Sequence, residues 1–144
     1  VGRIAGIDFG AVRIGVALSD PGRILASPLT CVFAGRTLEE TVRRLSAVLP
    51  PIDAAVVGLP LHLSGADSPL CAQVRAFAAL LEAALSVPVV LWDERLTTAQ
   101  VERTLKEAHL SRKKRAPLVD ALSATVLLQN HLDTLALSAN RSSG

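Results

Sequence analysis

Apolar residues in the first third of the chain come in short runs separated by turn-formers, and later they recur at helical spacing. Arg3 to Asp8 and Arg13 to Ser19 read as strands, punctuated by Gly10 and Gly15. Asp20-Pro21-Gly22 predicts a turn, with Pro at its first central position and Gly supplying a positive φ at the second. Arg23 to Val32 is a broken third strand, and three strands joined by short turns predict an antiparallel meander.

From Thr37 the period changes. Thr37-Leu38-Glu39-Glu40 resembles a capping box, and Leu38, Val42, Leu45 and Leu49 share one helical face before Pro50-Pro51 ends the helix. Ala54 to Gly58 is a short, wholly apolar run, the mark of a buried parallel strand. A loop follows from Leu59 to Asp67. Ser68-Pro69 then predicts the cap and first turn of a helix carrying Val74, Phe77, Leu81 and Leu85. Val87 to Trp92 is the fifth strand. Thr97 caps a helix through Val101, Leu105 and Ala108. Leu110 to Ala116 reads as a basic loop, and Pro117 begins a last apolar helix to about Leu135. This order predicts an α/β fold, a mixed five-stranded sheet with its first three strands antiparallel and helices on both faces. Residues 1–137 are expected to form one domain and 138–144 a flexible tail.

Composition narrows the picture. At 144 residues, half of them hydrophobic, the chain suits one globular domain and not a disordered one. Aromatic residues are 3% of the chain, so the core must be aliphatic and a platform for stacking bases is not expected. A net charge of +2 is too small to signal nucleic acid, so the placement of charge must carry that argument. Cys31 and Cys71 form no CxxC pair and no signal-peptide pattern is evident, which predicts a reducing cytoplasm. No apolar run is long enough for a membrane span. With no methionine in the chain, Val1 is read as a trimmed, processed or alternatively initiated start.

Three carboxylate positions could carry chemistry. Asp8, in Gly6-Ile7-Asp8-Phe9-Gly10, lies where an apolar strand runs out beside a glycine, which suits either a cleft-facing acid or a turn aspartate. Asp93-Glu94-Arg95 lies at another strand's C-terminal end, where ligand sites of open α/β sheets gather. Neighbouring strand residues point to opposite faces, so only one of Asp93 and Glu94 can meet Asp8, and periodicity does not say which. Asp120 interrupts an apolar helix, where the helix dipole alone could explain it. Thr97 is better explained as a cap than as a catalytic hydroxyl. Held together, three acids would repel one another, and a hard divalent cation, Mg²⁺ or Mn²⁺, removes that conflict. Zinc is disfavoured because His62, His109 and His131 are scattered. The run Arg112-Lys113-Lys114-Arg115 precedes Asp120, and beside such a cluster it reads as a phosphate-backbone contact.

In these blocks the chain resembles the YqgF family, also called RuvX, over about Ile4 to Leu132. The resemblance lies in Asp8-Phe9-Gly10 with Arg13-Ile14-Gly15-Val16-Ala17 and Asp20, in Val57-Gly58-Leu59-Pro60 with Gly65, in Asp93-Glu94-Arg95-Leu96-Thr97-Thr98, and in Val119-Asp120-Ala121 with Ala124 and Leu127-Leu128-Gln129. It implies a ribonuclease H-like fold and acidic positions at Asp8, Glu94 and Asp120, which selects Glu94 over Asp93. It also implies a metal-dependent nuclease, either a Holliday-junction resolvase acting on branched DNA or a nuclease maturing the 16S ribosomal RNA precursor. Val12 and His62-Leu63-Ser64 depart from the family's usual residues. Ser123 stands where the related RuvC-type resolvases carry a further acid.

The expected activity is thus phosphodiester hydrolysis, with Mg²⁺ or Mn²⁺ on Asp8, Glu94 and Asp120 and with Arg13, Arg95 and the basic run positioning the nucleic acid. Two rivals stand beside it: an ATP-binding lobe of the actin-like superfamily, and a nucleic-acid binding factor without catalysis in transcription or ribosome assembly. Junction cleavage would call for a C₂ homodimer, because paired symmetric cuts need two sites; trimming an RNA end needs only a monomer.

Overall fold

A computed structural model describes residues 2–93 and 112–143, with side chains in the last helix described for 121–138. Its strands are β1 (Ile4–Phe9), β2 (Arg13–Ser19), β3 (Ala26–Phe33), β4 (Ala54–Leu59) and β5 (Val89–Asp93). Its helices are α1 (Leu38–Val48), α2 (Cys71–Leu85) and α3 (Arg112–Ser143). The strands form one sheet in the order β3-β2-β1-β4-β5. The β1–β2 and β2–β3 pairs are antiparallel, and the β1–β4 and β4–β5 pairs are parallel. The meander and the apolar parallel strand therefore stand as the sequence predicts.

Alternation along β1 decides how the sheet is covered. Ala5, Ile7 and Phe9 point one way, into a core with Val42 and Leu45 of α1 and Val74, Phe77 and Leu81 of α2. Ile4 points the other way, where with Ala17 and Val56 it meets Ala124, Leu127, Leu128 and Leu132 of α3. Gly6 lies on this second face and lets the helix come close: a Cβ there would sit 2.6 Å from Leu128 Cβ and 2.8 Å from the Ala124 carbonyl oxygen. The same helix grips the start of the edge strand. The Gln129 side chain accepts from the Ala26 N–H (2.9 Å) and donates to the Ile24 carbonyl (2.8 Å), satisfying backbone groups that lie outside the β-ladder.

Several local expectations need correction. In the Asp20 turn the left-handed residue is Arg23 (φ 58°), not Gly22. The Arg23 N–H closes the turn on the Asp20 carbonyl (3.0 Å), and the Asp20 carboxylate takes the N–H groups of Ile24 and Leu25. These two bonds hold the Asp20 carboxyl below its ordinary range. Arg23 is kept in place by its own side chain, which donates to the Gly2 carbonyl and to Asp53. At α1 the Thr37 hydroxyl accepts from Glu40 N–H as expected, but the Glu40 carboxylate returns to the N–H of Arg36 instead of Thr37. Its pKa is lowered first by that bond.

Helix α2 begins at Cys71, behind a turn in which Cys71 N–H meets the Ser68 carbonyl, so the Ser68 hydroxyl is not its cap. The largest correction is at α3. Residues Arg112 to Ala116 are helical and not a loop, and the helix continues through Pro117 to Ser143. Pro117 cannot donate to the Lys113 carbonyl, but losing that bond does not end the helix. From Pro117 to Ser143 no further Pro and no Gly interrupts it. The predicted helix over Thr97 to Ala108 lies outside the described residues. No helix among the described residues is long and apolar enough to cross a membrane.

Gly6→Ala should destabilise the fold by about 1–3 kcal/mol, because backbone as well as side chain obstructs the added methyl. A urea midpoint equal to wild type would show that α3 does not rest on Gly6. A second test concerns His131, which is buried (8% exposed), packs edge-on to Trp92 at 4.8 Å between ring centroids, and has no hydrogen-bond partner for Nδ1 among the described residues. Burial lowers its pKa below the ordinary 6.5. The unfolded chain therefore takes up this proton first, and stability should fall as pH drops below about 6.5. His131→Phe should lose less stability than wild type between pH 7.5 and 5.5; equal losses would contradict this account.

Candidate active site

Asp8 lies near the C-terminal end of β1, two residues beyond Gly6, so it shares the face covered by α3. Its cross-strand partner on β2 is Gly15. On β4 the parallel register pairs Ile7 with Val57, and one step further brings Gly58 beside Asp8. The carboxylate is thus flanked on both sides by residues without side chains. Trp92, partner of Gly58, continues this row on β5, and Cys31, partner of Gly15, continues it on β3. A strand-end acid between two glycines leaves lateral room that Val or Leu would fill, which is what a hydrated cation or a phosphate requires.

The helix supplies the second position. Ala124 and Leu128 meet the sheet at Gly6, and Leu132 packs in the cluster that holds Ile4. Asp120 occupies the helical position one turn before Ala124, as Asp8 lies two residues beyond Gly6. Only its place on the helix is described.

Alternation also separates the acids of the fifth strand. Val89 and Leu91 pack against the α1–α2 core, whereas Trp92 packs on the α3 side. Asp93 follows on the α1–α2 side, opposite to Asp8, and is exposed. Glu94 and Arg95 lie outside the described residues. Arg13 opens β2 two residues before Gly15, half-buried and on the face of Asp8. Arg112, Lys113, Lys114 and Arg115 take consecutive helical positions, about 100° apart, so they spread around the axis and do not line one side. Among the described residues no three His, Cys, Asp or Glu gather as a metal site. Of the three candidate acids, Asp8 alone has its side chain among those residues.

The loop that departs from the family pattern is well formed. His62 N–H meets the Ala66 carbonyl, Gly65 takes φ 93°, and Asp67 is bound by two nitrogens of Arg75. That pair lowers the Asp67 pKa. Sequence reasoning missed Gly15 and Gly58 as neighbours of Asp8. A glycine inside a strand was the available signal, but its meaning depends on which strands are adjacent.

The RuvX family, described as Holliday junction resolvase, matches residues 2–134. The chain is similar to a protein of Protochlamydia amoebophila named "Putative pre-16S rRNA nuclease", 45% identical over 140 residues, 92% of this chain and 93% of that relative. It is also similar to a protein of that name from Pelotomaculum thermopropionicum, 42% identical over 134 residues, 92% of this chain and 87% of that one. Among solved structures, RuvC of Thermus thermophilus in complex with a Holliday junction substrate superposes with a TM-score of 0.50 at 19% identity. That match covers 87% of this chain and 90% of the other, a likeness of fold, which is ribonuclease H-like.

Proposed function

The chain belongs to the RuvX family, and from that premise we propose that it is a metal-dependent nuclease whose metal-binding carboxylates are Asp8, Glu94 and Asp120. The observation that carries this reading is Asp8 itself. It lies between Gly15 and Gly58 on the face that α3 covers. Glu94 is preferred to Asp93 because Asp93 belongs to the opposite face, and alternation favours its neighbour as the partner of Asp8.

Three acids sharing one cleft would repel one another and rise in pKa. Oxygen donors of this kind fit Mg²⁺ or Mn²⁺, and when bound the ion supplies charge neutralisation and a more acidic water. The chain's own task is to orient the scissile phosphate. Arg13 lies on the same face as Asp8, and Arg95 with the Arg112–Arg115 run supplies further backbone contacts. Because that run is helical, only some of its four cations face one phosphate path.

The substrate we favour is a four-way DNA junction, cut by a C₂ homodimer in the cytoplasm. The names of the similar curated proteins favour a second reading, maturation of the 16S rRNA precursor, for which a monomer suffices. A panel of four-way junctions, flaps, single strands and precursor RNA separates the two. Symmetric paired nicks by a sedimenting dimer support the first reading. RNA trimming by a monomer that leaves junctions intact supports the second.

Cleavage should require Mg²⁺ or Mn²⁺ and stop with chelator; full cleavage in excess chelator, with contaminating nuclease excluded, would falsify the metal assignment. Asp8→Asn, Glu94→Gln and Asp120→Asn should each lower kcat by about 100-fold or more while the protein stays folded. Asp93→Asn should stay within about threefold of wild type. An Asp93→Asn variant as impaired as Asp8→Asn would mean the wrong acid of the pair was chosen.

A further inference from the structure

The four aromatic residues of this chain are not used alike. Phe9 and Phe77 pack together in the core at 4.7 Å between ring centroids, and Trp92 packs on His131. Phe33 is left 64% exposed at the end of the edge strand β3. Its cross-strand partner is Arg13, two residues before Gly15, and the alternation that sends Val32 into the α1–α2 core puts Phe33 on the face of Asp8. Two strand spacings of about 4.8 Å and a two-residue step of about 6.6 Å put Phe33 about 12 Å from Asp8. That is a few nucleotides, three to four at the rise of about 3.4 Å of a stacked duplex strand and fewer for an extended unpaired one.

The backbone beneath this ring is held from several sides. Arg44 of α1 donates to the carbonyls of Phe33 and Ala34, and is itself paired to Glu40. Ala34 N–H meets the Val12 carbonyl, Gly35 N–H meets the Thr41 hydroxyl, and Arg36 N–H meets the Glu40 carboxylate. A segment so fixed keeps its exposed aromatic side chain on a rigid support, which lowers the ordering cost of binding. Arg13 is the cross-strand neighbour of this ring on the same face, and an exposed aromatic face beside a cation is the usual equipment for gripping an unpaired base.

We propose that Phe33 is the platform on which an unpaired base of the substrate stacks, a few nucleotides from the phosphate held at Asp8. This rests on the nuclease reading and adds that the substrate carries an unstacked base at a fixed distance from the cut. The scarcity of aromatic residues, which argued against any stacking platform, is consistent with a single ring.

The test is fluorescence anisotropy with the full chain in chelator, which prevents cleavage. The probes are short single-stranded DNA and RNA oligonucleotides, the same strands with abasic positions, and blunt duplexes. Phe33→Ala should weaken single-strand binding by about tenfold or more, and Phe33→Trp should stay within about twofold of wild type. Abasic strands and duplexes should not distinguish the variants. Since the ring is exposed, Phe33→Ala should melt as wild type does; Phe33→Leu, apolar but unable to stack, should bind as weakly as Phe33→Ala. Equal single-strand binding by wild type and Phe33→Ala would overturn the platform, leave the nuclease reading intact and make the ring a contact for another protein. Equal losses on strands and duplexes would also overturn it. If wild type binds none of these probes, the platform falls, while the nuclease reading is decided separately by the four-way junctions and precursor RNA of the cleavage panel.

Discussion

The arrangement of the molecule depends on one close contact, that of helix α3 with strand β1 at Gly6. No side chain stands between the strand backbone and the helix there, so Ala124 and Leu128 rest directly on the sheet. Leu127, Leu128 and Leu132 then fill the space above Ile4, Ala17 and Val56. The contact fixes the height of the helix and also its register along the strand. Asp8 is two residues from Gly6 and Asp120 is one helical turn from Ala124, so the proposed site would rest on this packing. A methyl group at Gly6 would force α3 away from β1.

Electrostatics and packing oppose each other at this end of the sheet. Parallel β1, β4 and β5 all finish at the same end of the sheet, and carboxylates gathered there would cost folding energy unless a cation joined them. The neighbours of Asp8 are accordingly Gly15 and Gly58, residues that contribute nothing to the core by side-chain burial. Such local sacrifice of packing is expected where a site is built for a ligand. Elsewhere Asp20, Glu40 and Asp67 each hold hydrogen bonds that stabilise their ionised forms and tie down turns or loops.

Much of the fold was legible because it rests on local periodicity. The five strands, the switch to helical spacing at Thr37 and the apolar run at Ala54 need no knowledge of neighbours. The Asp20 turn was misjudged because Arg23 is held left-handed by Gly2 and Asp53, contacts distant in sequence. The basic run has the pattern of a loop because Pro117 has the character of a helix start, whereas its missing donor disturbs only one bond of a long helix. Asp8 was visible as a strand-end acid. Its glycine neighbours were not, since they come from two other strands, β2 and β4, whose place beside β1 is a tertiary property. Phe33 was hidden for the same reason: exposure and cross-strand pairing are not encoded in composition.

The central claim is that Asp8, with Glu94 and Asp120, holds one divalent ion beside the α3–β1 contact. Titration of Mn²⁺ into isotopically labelled protein, followed by paramagnetic broadening of backbone amide resonances, tests this without relying on activity. The account predicts that the amides of Gly15 and Gly58 broaden first and that Asp8→Asn abolishes the effect. Broadening centred elsewhere, or unchanged in Asp8→Asn, would contradict it.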